Sequence, residues 1–201
     1  MRVLPVKQRT RIHAFQAGGI LLATVFLLTQ PVLVGQAHEL LEMTGLGLVA
    51  ICVAGRVWSS LYIGSRKNRV LVTSGPYSIT RNPLYLFSTI GAVGIGLIFG
   101  SIAAALGLGL LAYGVFMATA TKEAEHLSAI FGSRYDAYAR QTPLFWPNVF
   151  HYRDLPEVAF SPKALRRTFV DGLLFLAAFP AIEVIEHLQT DGTLPILMRV
   201  L

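Results

Sequence analysis

From residue 83 to residue 121 the chain runs for about forty residues without an Asp, Glu, Lys or Arg. A helix of roughly 20 apolar residues already crosses a bilayer. The run is therefore too long for one spanning helix and fits a hairpin of two, 83–100 and 101–121, turning near Gly100 and Ser101. Composition agrees: 54% of residues are hydrophobic and 14% charged, where a soluble domain carries about a quarter charged. Three further apolar blocks qualify as spans. Residues 14–34 hold no charge, residues 43–63 hold only Arg56, and residues 168–188 hold Asp171, Glu183 and Glu186. The expected fold is all-α, a polytopic membrane protein with about five transmembrane helices. The first block is too long for a cleaved signal peptide and lacks a small-residue cleavage site.

The charges fall between the blocks. With the N-terminus on the cytoplasmic side, every Lys and Arg except Arg199 lies on that side or at its edge, as the positive-inside rule requires. The net charge of +6 then reads as a belt facing anionic lipid headgroups. It does not indicate nucleic-acid binding, because no basic patch stands free of a span. The expected location is a membrane, the cell inner membrane if the source is bacterial. The single cysteine, Cys52, sits inside the second span and reads as a small core residue. Gly91, Gly94, Gly96, Gly100, Gly107, Gly109 and Gly114 crowd the hairpin, where small residues let helices approach closely.

Two polar segments, 64–82 and 122–163, flank the hairpin and emerge at its mouth. The first contains "VTSGPYSITRNPLYLF". Gly75-Pro76 marks a turn, Pro83 suits the first turn of a helix, and Asn82 before it is pushed out of helical backbone. The helix N-terminus there favours an anionic group such as a carboxylate, and Tyr77 and Tyr85 could flank a flat ring. In the second segment Leu127, Ile130, Phe131, Tyr135 and Tyr138 recur at helical spacing, with Gly132 ending one helix and starting the next. That aromatic face would lie in the headgroup layer or close over the hairpin mouth. Glu123 is the first acid after the charge-free run. At that depth a carboxylate is costly unless a cation pairs with it, from Arg69, Arg81 or a ligand; the other reading is an ordinary helix-end acid in the headgroup layer. Metal ligation is not expected. Glu123 and His126 make one Glu-x-x-His pair, Glu183, Glu186 and His187 cluster on the last block, and a di-iron centre needs two such pairs.

"LVTSGPYSITRNPLY" followed by "KEAEHLSAIFGSRYDAYARQTP" resembles the isoprenylcysteine carboxyl methyltransferase family, related to the phospholipid N-methyltransferases. The resemblance covers roughly residues 62–147, the core of a single domain over 1–201, with 148–201 as an extension bearing the last span. It implies an integral membrane enzyme using S-adenosylmethionine in a cytoplasm-facing pocket. The implied cofactor positions are Arg69, Val70, Leu71, Val72, Tyr77, Arg81, Asn82, Pro83, Leu84, Tyr85 and Glu123. The implied acceptor is lipophilic, a small molecule or a lipid entering from the bilayer. Three positions depart from the family pattern. Asn82 replaces a His. Ala124 replaces a second Glu, and Glu125 is turned about 100° away from that place. Thr119, at the position of a substrate-facing Arg, puts a prenylcysteine carboxylate in doubt. Two other readings stand beside methyl transfer. One is a nicotinamide-dependent membrane reductase of the sterol-reductase type, and the other is a non-catalytic protein of the same fold.

Overall fold

A computed structural model describes residues 27–64 and 70–200. The described chain contains helices α1 (Gln36–Ile63), α2 (Pro76–Ile79), α3 (Pro83–Ile98), α4 (Ile102–Phe131), α5 (Ser133–Gln141) and α6 (Pro162–Thr190). Two strands join them, β1 (Thr29–Pro31) and β2 (Met198–Val200). α1, α4 and α6 are long and apolar enough to cross a membrane. At 1.5 Å per residue each extends about 42–45 Å, beyond a hydrocarbon core of about 30 Å. α3 is equally apolar but has 16 residues, about 24 Å. Of the expected spans, the described residues thus hold three of full length and one short apolar helix. Most of the block at 14–34 lies outside the described residues.

Its described end departs from the all-α expectation. The chain leaves helix after Leu28, and Thr29–Pro31 pairs in parallel with Met198–Val200. Pairing between segments so distant in sequence leaves no local periodicity to read. Buried Gln189 on α6 reinforces it, its Nε2 donating to the Leu27 and Thr29 carbonyls at 3.1 and 3.0 Å. The C-terminal tail therefore packs at the β1 end of the bundle.

The hairpin turns where the sequence places it. α3 ends at Ile98, Gly100 takes φ +72°, and the Ser101 hydroxyl caps α4 by accepting from Ala104 N at 3.0 Å. α4 does not stop at Thr121 but continues to Phe131, because nothing before Gly132 (φ +55°) breaks it. Glycines set the helix spacing. A methyl on Gly45 would sit 2.6 Å from both the Gly94 carbonyl oxygen and the Ile98 amide nitrogen, so α1 and α3 touch backbone to backbone. Gly96 meets the Ala105 backbone across the hairpin. Gly107 and Gly114 face open space, contrary to the packing role expected of them. The core joins Val49, Ile98, Phe99 and Ile182, and Cys52 is buried as expected. α4 is otherwise bare, with Leu106 62% and Leu110 70% exposed, a surface suited to lipid rather than water.

At the other end of the bundle a strap of residues 142–154 runs along residues 75–82. Gly75 N donates to Arg153 O at 2.7 Å, Arg81 N to Pro143 O at 2.9 Å and Asn148 N to Ile79 O at 2.9 Å. Thr80 Oγ1 donates to Phe145 O at 2.8 Å and Asn82 Nδ2 to Leu144 O at 3.0 Å. Asp154 ends the strap by accepting from the hydroxyls of Tyr62 on α1 and Tyr152, both at 2.6 Å. These hydroxyls hold its carboxyl below the ordinary aspartate range.

Gly45→Ala should lower detergent-phase thermal stability by about 1–3 kcal/mol through overpacking. Gly47→Ala, with nothing within 4 Å, should be neutral or stabilising. Because the folded pKa of Asp154 is lowered, its contribution is present above the ordinary aspartate value and is lost as pH falls through the lower folded value. Hydrogen exchange of residues 148–155 should therefore accelerate on acidification, and Asp154→Asn should be faster already at neutral pH.

Candidate functional site

α2 is a single turn between two breaks. Gly75 takes φ +58° before Pro76, and a side chain there would strike the Tyr62 ring. Thr80 is extended, and Asn82 begins α3 with Pro83 at its first turn and no side-chain cap. The Asn82 amide is committed to the strap instead. Residues 77–85 thus reach the end of the bundle as two helix ends broken at 80–82, facing the extension of α4 beyond Thr121.

Between them lies a cavity of about 770 Å³, counting the part open to solvent. Val70, Leu71, Val72, Tyr77, Arg81, Asn82, Pro83, Leu84, Tyr85 and Glu123 all line it. Arg69 lies outside the described residues. The sequence reading did not include Ile63, Ala124, Leu127, Phe131, Tyr135 and Tyr138 among the site residues, and these complete the wall. The signal for part of them was present: Glu123, Leu127 and Phe131 recur every fourth residue, one helical face. The aromatic face of α4 and α5 accordingly closes over the mouth, while Ile130 points away, 45% exposed. Glu125 is exposed and absent from the wall. Thr119 is absent too, its hydroxyl donating to Val115 O at 2.8 Å.

Glu123 is the one acid and Arg81 the one base in the described lining. Glu123 accepts from the Tyr85 hydroxyl at 3.0 Å, and Tyr85 stacks on Phe116 with centroids 5.1 Å apart. Arg81, expected as a partner for Glu123, instead donates to the Tyr135 hydroxyl at 3.2 Å and lies 6.0 Å over that ring. The aromatic ring competes well for the planar guanidinium. Tyr138 donates to the Tyr77 carbonyl at 2.6 Å, and burial pushes its hydroxyl pKa up. The Tyr77 hydroxyl and Arg81 Nε are buried with no hydrogen-bond partner among the described residues. Burial pushes the Tyr77 hydroxyl well above its usual pKa, so it is a neutral donor at any working pH. Buried polar atoms are rarely left unbonded, and both residues line the cavity. Among the described residues no three His, Cys, Asp or Glu side chains come together as metal ligands.

Residues 19–134 match the phospholipid methyltransferase family. The chain is 34% identical over 155 residues to the cobalt-zinc-cadmium resistance protein CzcN of Cupriavidus metallidurans, spanning 77% of this chain and 71% of that protein. It is 34% identical to the nickel-cobalt-cadmium resistance protein NccN of Alcaligenes xylosoxydans, over 73% of this chain and 68% of that one. A 95-residue segment, 47% of this chain and 40% of its counterpart, is 30% identical to the protein-S-isoprenylcysteine O-methyltransferase of Schizosaccharomyces pombe. No solved structure matches. Helices of membrane-spanning length, a site built where the two motifs meet, and a match over more than half the sequence agree: this chain is a membrane protein of the phospholipid methyltransferase family, related to the isoprenylcysteine methyltransferases.

Proposed function

We propose that the cavity holds S-adenosylmethionine and that the chain transfers its methyl group to a lipophilic acceptor reaching the site from the bilayer. The observation that carries this reading is that the described wall of an aromatic-lined cavity brings together a cation and an anion, with two buried donors unbonded among the described residues. A zwitterionic amino acid attached to a flat nucleoside and a positive sulfur matches that set. The free Nε of Arg81, with the uncapped N-terminus of α3, would receive the carboxylate. Glu123 and the tyrosine faces would hold the positive groups, since aromatic rings attract desolvated cations. The Tyr77 hydroxyl would donate to the nucleoside or the carboxylate. When bound, the cofactor supplies an electrophilic methyl group on sulfur.

The rest falls to the chain. Leu84, Leu127 and Phe131 exclude water, and the strap fixes Tyr77 and Arg81 so that little is reorganised on binding. Holding donor and acceptor in line in such a site can supply roughly 7–11 kcal/mol of the barrier. The Lys and Arg distribution supports a cytoplasmic mouth. A carboxylate or thiolate acceptor needs no base. Residues 1–201 act as one domain in this reading.

The relatives' names join chains of this kind to metal resistance. The cavity chemistry favours modification of a membrane component over ligation of the metal itself. A reductase reading is weaker: Arg66, Lys67 and Arg69 could serve the cofactor phosphates, but the Glu-centred motif argues against it, with Glu123 in the cavity wall.

Calorimetric titration of the detergent-purified protein with S-adenosylhomocysteine should give saturable binding, and titration with NADPH should give none. Glu123→Gln should weaken that binding about tenfold or more, the scale of a charge-assisted hydrogen bond. No binding to folded wild-type protein overturns the reading. Tyr77→Phe should separate two effects. Removing an unbonded buried hydroxyl should leave the ligand-free melting temperature equal or higher. The stabilisation given by S-adenosylhomocysteine should shrink.

A further inference from the structure

Arg56 lies seven residues before the end of α1, roughly 10 Å into the helix from the cavity end. It donates to the Ser88 hydroxyl of α3, and its guanidinium lies 5.7 Å from the centre of the Phe175 ring on α6. It makes no ion pair among the described residues, and its Nε is buried without a partner. Asp171, one turn before Phe175 on α6, forms no salt bridge with it. The other acids of α1 and α6 stand far off along the helices, Glu42 being about 21 Å away along α1. An arginine cannot shed its charge. A cation within an apolar span is costly and is kept where something pairs with it. Here one hydroxyl and one ring face serve a group with five N–H donors.

The location adds direction. The Ser88 hydroxyl donates in turn to the Leu84 carbonyl at 2.8 Å, and Leu84 lines the cavity. Arg56 thus bonds a residue one helical turn from the cavity wall, on its membrane-embedded side, at the junction of α1, α3 and α6. We propose that Arg56 seats an oxyanion, carboxylate or phosphate, borne by a lipophilic molecule lying in the membrane at this junction. The proposal leans on the methyl-transfer reading only for what that molecule then undergoes. The guanidinium would grip two oxygens of the anion through its fork, the Phe175 ring would hold the fork in plane, and the apolar remainder would lie along the helices. A lipid so anchored presents a group one turn away to the cavity.

Native mass spectrometry can test this on the full chain, with oleate against oleyl alcohol and dioleoyl phosphatidic acid against diolein. Wild-type protein should retain at least one acidic lipid over its neutral counterpart by roughly tenfold, the worth of a charge-assisted hydrogen bond. The favoured arm tells carboxylate from phosphate. Arg56→Gln should hold acid and neutral lipid alike while still binding S-adenosylhomocysteine. Should that variant not fold, a diazirine-bearing form of the favoured lipid should crosslink wild-type α1 and α3 near residues 53–60 and 84–91, and its neutral analogue should not. No preference in the wild type, an undiminished preference in Arg56→Gln, or crosslinks confined elsewhere overturns the proposal. Wild-type failure to bind S-adenosylhomocysteine would instead overturn the methyl-transfer reading and leave this one standing.

Discussion

The structure depends on how residues 75–82 satisfy their backbone. This segment sits at the end of apolar helices and is helical only over Pro76–Ile79, so the peptide groups on either side of that turn need partners from elsewhere. Each one buried without a partner would cost about 1–3 kcal/mol. The strap at 142–154 supplies those partners, from Gly75 through Asn82. One set of bonds therefore does three things. It ends the bundle without stranded peptide groups, fixes the start of α3, and holds Tyr77 and Arg81 opposite Glu123. The strap can reach only because Gly132 turns the chain back after α4 and α5 returns it across the mouth.

Much of this was legible in the sequence, for physical reasons. A charge-free run of that length has few options, so the hairpin and its turn at Gly100 and Ser101 could be placed closely. The cavity lining was implied by the resemblance of the motifs flanking that hairpin to a known family. Less could be read where structure depends on distant pairing. β1 and β2 are three residues each and meet from near the two ends of the sequence, and Gln189 reveals its role only once α6 stands beside β1. The glycines illustrate the same limit. Gly94 and Gly107 look alike in sequence, but one touches α1 and the other faces open space. Arg81 went to Tyr135 rather than Glu123 because α5 brings a ring that periodicity alone could not position.

Opposite faces of the bundle differ in their tolerance for polarity. At the strand end, His38 on α1 meets Glu186 on α6 at 3.6 Å, so those helices are clasped by side chains as well as by the ribbon. At the cavity end the polar groups are aimed inward. Between them Arg56 on α1 bonds Ser88 on α3. That contrast separates charges that close the fold from charges that line the cavity.

α4 is one unbroken helix from the hairpin turn to Phe131, bordered by protein along one side and bare along the rest. A rod of this kind tilts when the surrounding hydrocarbon thins or thickens. α3 is shorter and clamped to α1 through its glycines, so it cannot follow freely. Glu123 rides on the first helix and Tyr85 on the second. The bond between them therefore ties the two arms of the hairpin at the cavity end, so any change in their relative tilt would act directly on the cavity wall.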